Sequence, residues 1–255
     1  MLGSEIQPVE RPPLFKLDKP NSQKIWRYLE FEHFVDLLST RTLYFSRVDR
    51  VGDDPLEGLI TDATFEALSR EIPWENDAAK NHFIETFKKT IHYAPFHHFI
   101  NCWHMNERES MAMWKIYAQK GIVIQSTIEN LKNSIIDLTF NIHYAEVQYI
   151  TETDVIPINN IQIPFGYKRK SFEYEKEFRA VHLENPEPRN NTIDFSIPNP
   201  KDGVRIPADI NRLINLVYIF PYAPQWFYDC TKSVMEKYGV ADRIKKSDFT
   251  VDLGY

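Results

Sequence analysis

Apolar residues recur at two different spacings along the chain, and the spacing separates predicted helices from predicted strands. The clearest helix carries apolar residues at the i, i+3, i+4 and i+7 positions of one stripe: Phe31, Phe34, Val35 and Leu38. Segments 24–29 and 42–46, on either side of it, are short and rich in aromatic and β-branched residues, which is typical of strands. The chain is therefore predicted to open with a strand, a helix and a strand.

The same criteria predict the remaining elements. Further strands are predicted around residues 99–104, 121–127, 142–150, 177–183, 204–206, 216–220 and 248–253. Helices are predicted over 59–93 with a break near Ile72-Pro73, over 110–118, and between Pro224 and Gly239. Because strands and helices do not alternate regularly, the predicted fold class is α+β, with a mixed, mostly antiparallel sheet and flanking helices. We predict a single domain over residues 21–255, preceded by a peripheral N-terminal tail over residues 1–20.

Composition and charge narrow the class of protein. With 255 residues and a hydrophobic fraction of 43%, the chain is long enough to bury a large core. Its net charge of −6 argues against broad electrostatic binding to nucleic acid, which needs an excess of Lys and Arg. Cys102 and Cys230 lie far apart, which favours reduced thiols over a disulfide framework. No secretory signal and no apolar run of membrane-spanning length is recognised, so the predicted location is the cytoplasm, with no membrane partner.

The segment from Tyr174 to Arg179 is the richest in candidate chemistry. If a strand begins by Tyr174, its period of two puts Glu175, Glu177 and Arg179 on one face. Buried charges are unfavourable unless they are paired, so this face either meets water as an ordinary ion-paired strand surface or lines a polar cleft. In the second case a carboxylate held beside an arginine is a candidate catalytic group. Proximity to Arg179 favours Glu177 over Glu175.

The segment from Asp53 to Gly58 is predicted to form a turn that carries three carboxylates. Gly, Asp and Pro favour a turn here, because a proline restricts the preceding residue to extended conformations. Asp54 and Glu57 are candidates for holding a cation or orienting a substrate hydroxyl. The alternative is plain turn chemistry with a cap for the helix that follows.

Two sets of aromatic residues are candidate binding groups. Arg27 lies between Trp26 and Tyr28, and a planar guanidinium suits a phosphate or a ribose, although these aromatics also fit an amphipathic strand that simply packs. Trp114 and Tyr117 are three positions apart on a predicted helix, which puts both rings on one ledge.

Four histidines and one cysteine fall within 13 positions: His92, His97, His98, Cys102 and His104. They lack the compact pairs of a structural zinc site. His97 and His98 would point opposite ways in an extended segment, whereas Cys102 and His104 would share one face of a strand. No resident metal is therefore expected.

Taken in order, the motifs resemble a large bacterial family that is classed as a domain of unknown function. Its members show a Tyr-Arg or similar pair, a helix, a Leu-Tyr-Phe-Ser strand and an Asn-Asp-Pro-Phe-Glu turn. A Met-Trp-x-x-Tyr helix, a Gly-Val/Ile strand and a Tyr-Glu-x-Glu-x-Arg segment come later. Across residues 24–250 the matches are Arg27-Tyr28, Leu43 to Ser46, Asp53 to Gly58, Met113-Trp114 with Tyr117, Gly121 to Ile124, and Tyr174 to Arg179. Asp53 replaces the usual Asn and Leu56 the usual Phe, which leaves the predicted turn intact.

A looser resemblance, to ADP-ribosyltransferases, implies an activity. The shared layout is an opening strand with Arg or His, a helix, an aromatic strand with Ser or Tyr, and a late strand with Glu. The resemblance implies that NAD is the substrate, that Arg27 holds the nicotinamide ribose, and that an aromatic side chain stacks on the nicotinamide. Tyr44 or Ser46 matches the second strand. Glu177 matches the Glu that bonds a ribose hydroxyl and stabilises the oxocarbenium-like transition state.

Three functional hypotheses follow. The first is an ADP-ribosyltransferase-like enzyme that cleaves the nicotinamide–ribose bond of NAD, with a protein or a nucleic acid as acceptor. Its predicted catalytic residues are Glu177, Glu175 and Arg179, and its predicted binding residues are Arg27, Tyr28, Tyr44, Ser46, Asp54, Glu57, Trp114 and Tyr117. The second is a non-catalytic module that binds a nucleotide or a protein. The third is a metal-dependent nuclease or phosphodiesterase, with Mg²⁺ held by Asp54, Glu57, Glu175 and Glu177 and with Lys170 near the phosphate.

Overall fold

The structure, a computed structural model, describes residues 14–52, 54, 56–71, 73, 75–185 and 194–250. Its strands are β1 (Lys24–Glu30), β2 (Thr42–Arg47), β3 (His98–Met105), β4 (Gly121–Thr127), β5 (Ile142–Glu146), β6 (Gln148–Ile150), β7 (Tyr167–Arg169), β8 (Glu177–Leu183), β9 (Gly203–Pro207), β10 (Leu216–Ile219) and β11 (Ile244–Lys246). Its α-helices are α1 (Phe31–Thr40), α2 (Asp62–Glu71), α3 (Asp77–Tyr93), α4 (Met111–Tyr117), α5 (Ile128–Ser134), α6 (Ile210–Leu213) and α7 (Gln225–Lys237). Short 3₁₀ helices span Val48–Arg50, Ala94–Phe96, Ile163–Gly166, Lys170–Glu175 and Ala241–Arg243.

The described strands form a nine-stranded sheet and a small two-stranded sheet of β6 and β7. Along the large sheet the order is β11, β10, β4, β1, β3, β2, β9, and β8 pairs with β3 and carries β5 on its other edge. Only β10 and β11 run parallel within it, whereas its other pairs are antiparallel. The predicted α+β class, with a mixed and mostly antiparallel sheet, is confirmed.

One edge of β3 is shared by two strands that separate from each other. β1 pairs with β3 at Met105 and His104, and β2 pairs with it at Ile100 and Phe99. Between them, side chains replace the missing strand contacts. Arg27 Nη1 donates to the carbonyl of Cys102 at 3.1 Å, and Asn101 Nδ2 donates to the carbonyl of Tyr44 at 2.9 Å. We call this opening between β1 and β2, beside Asn101 and Cys102, the sheet gap.

The two faces of the sheet differ in chemistry. On one face a large apolar core forms where Ile25, Phe45 and Phe178 pack with Phe34 of α1 and Met235 of α7. Each such buried side chain contributes about 1.5–3 kcal/mol to the free energy of folding. On the other face, charged groups and aromatic rings replace much of this aliphatic packing.

Most predicted elements lie where the sequence pattern puts them, and the last strand is an exception. The predicted strand over 248–253 is wrong for residues 248–250, and residues 251–253 lie outside the described residues. The strand instead ends at Lys246. The carboxylate of Glu109 accepts hydrogen bonds from Ser247 Oγ and from the backbone N–H of Asp248, both at 2.8 Å, and these bonds turn the chain.

Part of the segment predicted to be a peripheral tail, from residue 14 onward, packs against the rest of the domain. Phe15 is buried among Ala145, Ile156 and Ile163, and the backbone N–H of Lys19 donates to the carboxylate of Glu146 at 2.5 Å. Residues 1–13 lie outside the described residues. None of the described helices is both long enough and apolar enough to cross a membrane.

Candidate functional site

A cavity of about 380 Å³ opens beside the sheet gap and collects most of the predicted site residues. We call it the main cavity. The predicted residues that line it are Arg27, Tyr28, Ser46, Asp54, Glu57, Tyr117, Glu175 and Glu177. These residues come from β1, β2, α4, β8 and the loops before α2 and β8. The sequence motifs, although distant along the chain, therefore converge on one site.

The strand predicted over 177–183 is confirmed, but it does not extend back to Tyr174. Residues Lys170–Glu175 form a 3₁₀ helix instead, and Lys176 adopts a left-handed conformation with φ of 41°. Glu175, Glu177 and Arg179 are nevertheless all buried. The alternative of an exposed strand face is wrong, and the polar-cleft interpretation fits the structure.

Arg179 organises two carboxylates beneath the cavity floor. Its Nε and Nη2 atoms each donate to Glu177 at 2.8 Å, and its Nη1 atom donates to Glu57 and to the carbonyl of Phe165, both at 2.8 Å. The side chain of Arg179 is fully buried. The bidentate, charge-assisted pair fixes the planes of the guanidinium and the Glu177 carboxylate. Arg179 therefore orients Glu177 and does not itself line the cavity.

Lys168 completes the group and was not among the predicted residues. Its Nζ atom contacts the carboxylate of Glu175, lies 3.3 Å from Glu177 Oε2, and lies 3.7 Å from Glu57 Oε2. Lys170, predicted to approach a ligand phosphate, is exposed and is not part of the cavity lining. The sequence shows a basic run before an acidic run, but only the pairing of β6 with β7 selects which lysine turns inward. We call Glu57, Lys168, Glu175, Glu177 and Arg179 the acidic cluster.

Pairing determines the protonation of this cluster. Burial works against ionisation of Glu177, but Arg179 and Lys168 outweigh it and lower the pKa of Glu177 to about 2. Burial raises the pKa of Glu57, and the attraction of Arg179 only partly offsets this. Burial also opposes the charge on Lys168, yet the attraction of Glu177 and Glu57 raises its pKa above the usual value. Glu177 is thus a permanently ionised and weakly basic carboxylate at neutral pH.

The turn that carries Glu57 depends on a glycine. Gly58 has φ of +74°, and a Cβ atom there would lie 2.2 Å from the Phe165 ring. Asp54 accepts from the backbone N–H of Leu56 at 3.0 Å and pairs with Arg169 Nη2 at 2.7 Å. The turn is confirmed and the next helix starts only at Asp62, so Asp54 does not cap it. Asp53 and Pro55 lie outside the described residues.

Arg27 also lines the main cavity, in a different electrostatic situation. It is half-buried, it lies 5.8 Å from the Trp103 ring centroid, and it has no carboxylate partner among the described residues. Burial lowers the pKa of Arg27 to about 10, so the guanidinium is still charged at neutral pH. An unpaired cation that faces a cavity favours an anionic ligand.

The two aromatic residues of α4 do not form one ledge. Tyr117 lines the cavity, and its hydroxyl donates to Glu175 Oε1 at 2.8 Å. Trp114 is fully buried, packs edge-on against Tyr28, and donates from Nε1 to Glu109 at 2.9 Å. Trp114 therefore supports the wall instead of contacting a ligand.

Tyr44 lies outside the main cavity, although Ser46 on the same strand lines it. Tyr44 lines a second cavity of about 460 Å³, which we call the side cavity, together with residues of α1 and with Arg205. Arg27, Leu29 and Ser46 line both cavities. The predicted site residues are thus divided between two adjoining spaces.

Cys102 and His104 on β3 also line the main cavity and were not among the predicted site residues. They share a strand face, as predicted, and lie opposite Arg179 and Glu177 in the β3–β8 pairing. His104 Nδ1 donates to the carbonyl of Glu175 at 2.5 Å, whereas its buried Nε2 atom has no partner among the described residues. Burial lowers the pKa of His104 and raises that of the Cys102 thiol, so both groups are neutral. The sequence signal for this pair is its spacing of two positions on a strand, which places both side chains on one face.

Within the described part of the chain, no group of three or more His, Cys, Asp or Glu side chains is arranged to hold a metal ion. Lys168 and Arg179 lie between the carboxylates of the acidic cluster. His98 belongs to another environment, stacked on Phe165 and bonded to the carbonyl of Ala94.

Comparisons of the chain with models of known protein families, with curated proteins and with solved structures found no match in any of the three. The two family resemblances described above therefore stay predictions.

Proposed function

We propose that this protein is an ADP-ribosyltransferase-like enzyme that cleaves the nicotinamide–ribose bond of NAD in the main cavity. The observation that carries the proposal is that Arg27 and Glu177 line one cavity on either side of Cys102. Arg27 donates to the carbonyl of Cys102, and Cys102 lies opposite Arg179, which donates to the carboxylate of Glu177. An unpaired cation and an ionised carboxylate therefore face the same space.

This arrangement suits a ligand with an anionic centre and a carbon that gains positive charge. Arg27 offers N–H donors to phosphate oxygens or to a ribose. Glu177 lines the same cavity, where its negative charge stabilises an oxocarbenium-like ribose in a site partly shielded from water. The exposed part of the Tyr117 ring offers a stacking surface for nicotinamide.

The bond that breaks joins C1′ of the ribose to the pyridinium nitrogen. Its electron pair leaves with nicotinamide, which becomes neutral, and the positive charge passes to the ribose. Water or an acceptor nucleophile then forms the new bond to C1′ and releases a proton to solvent. With a pKa of about 2, Glu177 is too weak a base to hold that proton, so its contribution is electrostatic.

The test measures nicotinamide release from NAD by the purified protein and by the Glu177→Gln variant. The substituted glutamine keeps the shape of the side chain, and Arg179 retains Glu57 and the carbonyl of Phe165 as partners, so the variant is expected to fold with reduced stability. Loss of this one electrostatic contact is expected to reduce turnover by about 10²–10³-fold. Glu173→Gln is the matched control, because Glu173 is an exposed glutamate in the adjoining 3₁₀ helix.

The outcomes separate the remaining hypotheses. Undiminished release by Glu177→Gln, with Glu173→Gln equally active, contradicts the assignment. NAD binding without release by the unaltered protein would favour a non-catalytic module. That alternative has one observation in its favour, because Arg179 and Lys168 already neutralise much of the charge of Glu177. Release, or cleavage of nucleic acid, that stops with EDTA would instead favour the metal-dependent hypothesis.

A further inference from the structure

The side cavity adjoins the main cavity across the sheet gap. The two spaces share Arg27, Leu29 and Ser46, so the guanidinium of Arg27 stands at their junction. Arg27 is reachable from both because β1 and β2 separate at the edge of β3. A ligand whose anionic part is bound at Arg27 therefore has room on either side.

Tyr44 gives the side cavity an aromatic wall. The ring lies so close to β9 that a Cβ atom on Gly203 would come within 2.2 Å of it. Arg205, directly opposite Tyr44 on β9, has its guanidinium 5.6 Å from the ring centroid and pairs with Asp36 of α1 at 2.5 Å. Gly203 leaves room for the ring, and Arg205, fixed by its ion pair with Asp36, packs against it. Tyr44 still exposes 38% of its surface, which is enough for a planar group to stack on it.

Size and charge point to the same kind of ligand. A cavity of about 380 Å³ is at the low end of the roughly 300–1,000 Å³ range of ligand sites, and a dinucleotide is a large ligand. Glu177 and Arg27 line one cavity, so nicotinamide and its ribose placed near Glu177 would direct the pyrophosphate toward Arg27. The second nucleoside then lies beyond Arg27, which is where the side cavity begins.

We propose that the side cavity binds the adenosine half of NAD, with the adenine stacked on Tyr44 and the bridging phosphates at Arg27. This proposal rests on the proposed function and assigns the second half of the same ligand. It makes Tyr44 a specificity residue: Tyr44 distinguishes a dinucleotide from its nicotinamide half and takes no part in bond cleavage.

Titration calorimetry with NAD, ADP-ribose and nicotinamide mononucleotide tests it. Tyr44→Ala is expected to weaken binding of NAD and ADP-ribose by roughly tenfold, the size of one lost base–aromatic stack. Nicotinamide mononucleotide has no adenosine, so its affinity should stay unchanged. Tyr44→Phe keeps the ring and should bind all three ligands like the unaltered protein. Tyr222→Ala, which removes an exposed tyrosine that lines neither cavity, is the matched control.

Two results overturn the proposal and are distinguishable from each other. If NAD binds but Tyr44→Ala leaves its affinity unchanged, or weakens the mononucleotide equally, the side cavity does not hold adenosine and the proposed function stands. If none of the three ligands binds to the unaltered protein, the proposed function fails and this assignment fails with it.

Discussion

Two regions beside the main cavity, the acidic cluster and the surroundings of Arg27, hold their charges in opposite ways. In the acidic cluster each charged side chain has at least one partner of opposite sign, and Arg179 and Glu177 share two bonds of 2.8 Å. In the second region, Arg27 has a backbone carbonyl and the Trp103 ring as neighbours, but no described carboxylate as a partner. The charges of the acidic cluster are therefore paired without a ligand, whereas the charge of Arg27 is not.

This difference separates structural charge from binding charge. Removing one member of a buried, paired group leaves its partners uncompensated, which is far less favourable than the intact group. Removing a buried charge that has no partner eliminates its desolvation cost instead. We therefore expect substitutions in the acidic cluster to affect stability first, and substitution of Arg27 to affect ligand binding first.

The largest effect is expected for Arg179→Met, which keeps the length of the side chain and removes its charge. Glu57 and Glu177 would then be buried with only Lys168 as counter-ion, and the free energy of unfolding should fall by about 3–5 kcal/mol. Urea denaturation measures this loss. Arg70→Met is the control, because the exposed Arg70–Glu66 pair on α2 is worth only about 0.3–0.5 kcal/mol. Equal losses in the two variants would contradict the distinction between structural charge and binding charge.

Lowering the pH should reduce the free energy of unfolding, because Glu177 becomes protonated. Its lowered pKa means that its contribution to stability is fully present above the ordinary value of 4.5 and is lost as pH falls toward about 2. The lost contribution is about 3 kcal/mol. The raised pKa of Glu57 acts in the opposite sense and reduces the net loss. Unfolding free energies measured from pH 6 to pH 3 should therefore fall more steeply for the unaltered protein than for Glu177→Gln. Parallel curves would show that Glu177 is not held ionised.

The sequence predicts the helices and strands well because their signals are local. The stripe of α1, the cap at Ser110, which accepts from the N–H of Met113, and the positive φ of Gly239 are all as expected from neighbouring residues. The strand predicted over 177–183 is confirmed, but the alternation counted from Tyr174 fails before Glu177, because Lys176 adopts a left-handed conformation that no local pattern in this segment indicates.

The site was predicted only in part, because convergence depends on strand pairing. Glu177 and Arg27 were identified by residue type, and their charged or aromatic neighbours made them stand out. Lys168 and His104 were missed because their roles depend on the pairing of β7 with β6 and of β3 with β8. Trp114 was assigned to the pocket because the i, i+3 spacing cannot show which of two helical residues faces the core.

A smaller effect, on binding instead of stability, is expected for Arg27→Met. The fold should keep its free energy of unfolding within about 1 kcal/mol, since the loss of one hydrogen bond is offset by removal of an unpaired charge. NAD affinity should fall by roughly 10–100-fold, which corresponds to charge-assisted bonds of about 1.5–3 kcal/mol. Calorimetry and urea denaturation on the same preparation check both parts. A large loss of stability with unchanged affinity would mean that Arg27 belongs with the structural charges.

Tyr117→Phe should have the smallest effect, because it keeps the ring and removes only the hydroxyl. The variant loses the hydrogen bond from the hydroxyl to Glu175, but Lys168 still contacts that carboxylate. The expected cost in unfolding free energy is about 1 kcal/mol. NAD affinity should change by no more than about threefold, since the ring and its stacking surface remain. Tyr117→Ala provides the comparison, because it removes the ring as well and should weaken NAD binding further by roughly tenfold. Equal affinities for the two variants would show that the Tyr117 ring does not contact the nicotinamide, and the stacking surface would have to be sought elsewhere in the main cavity.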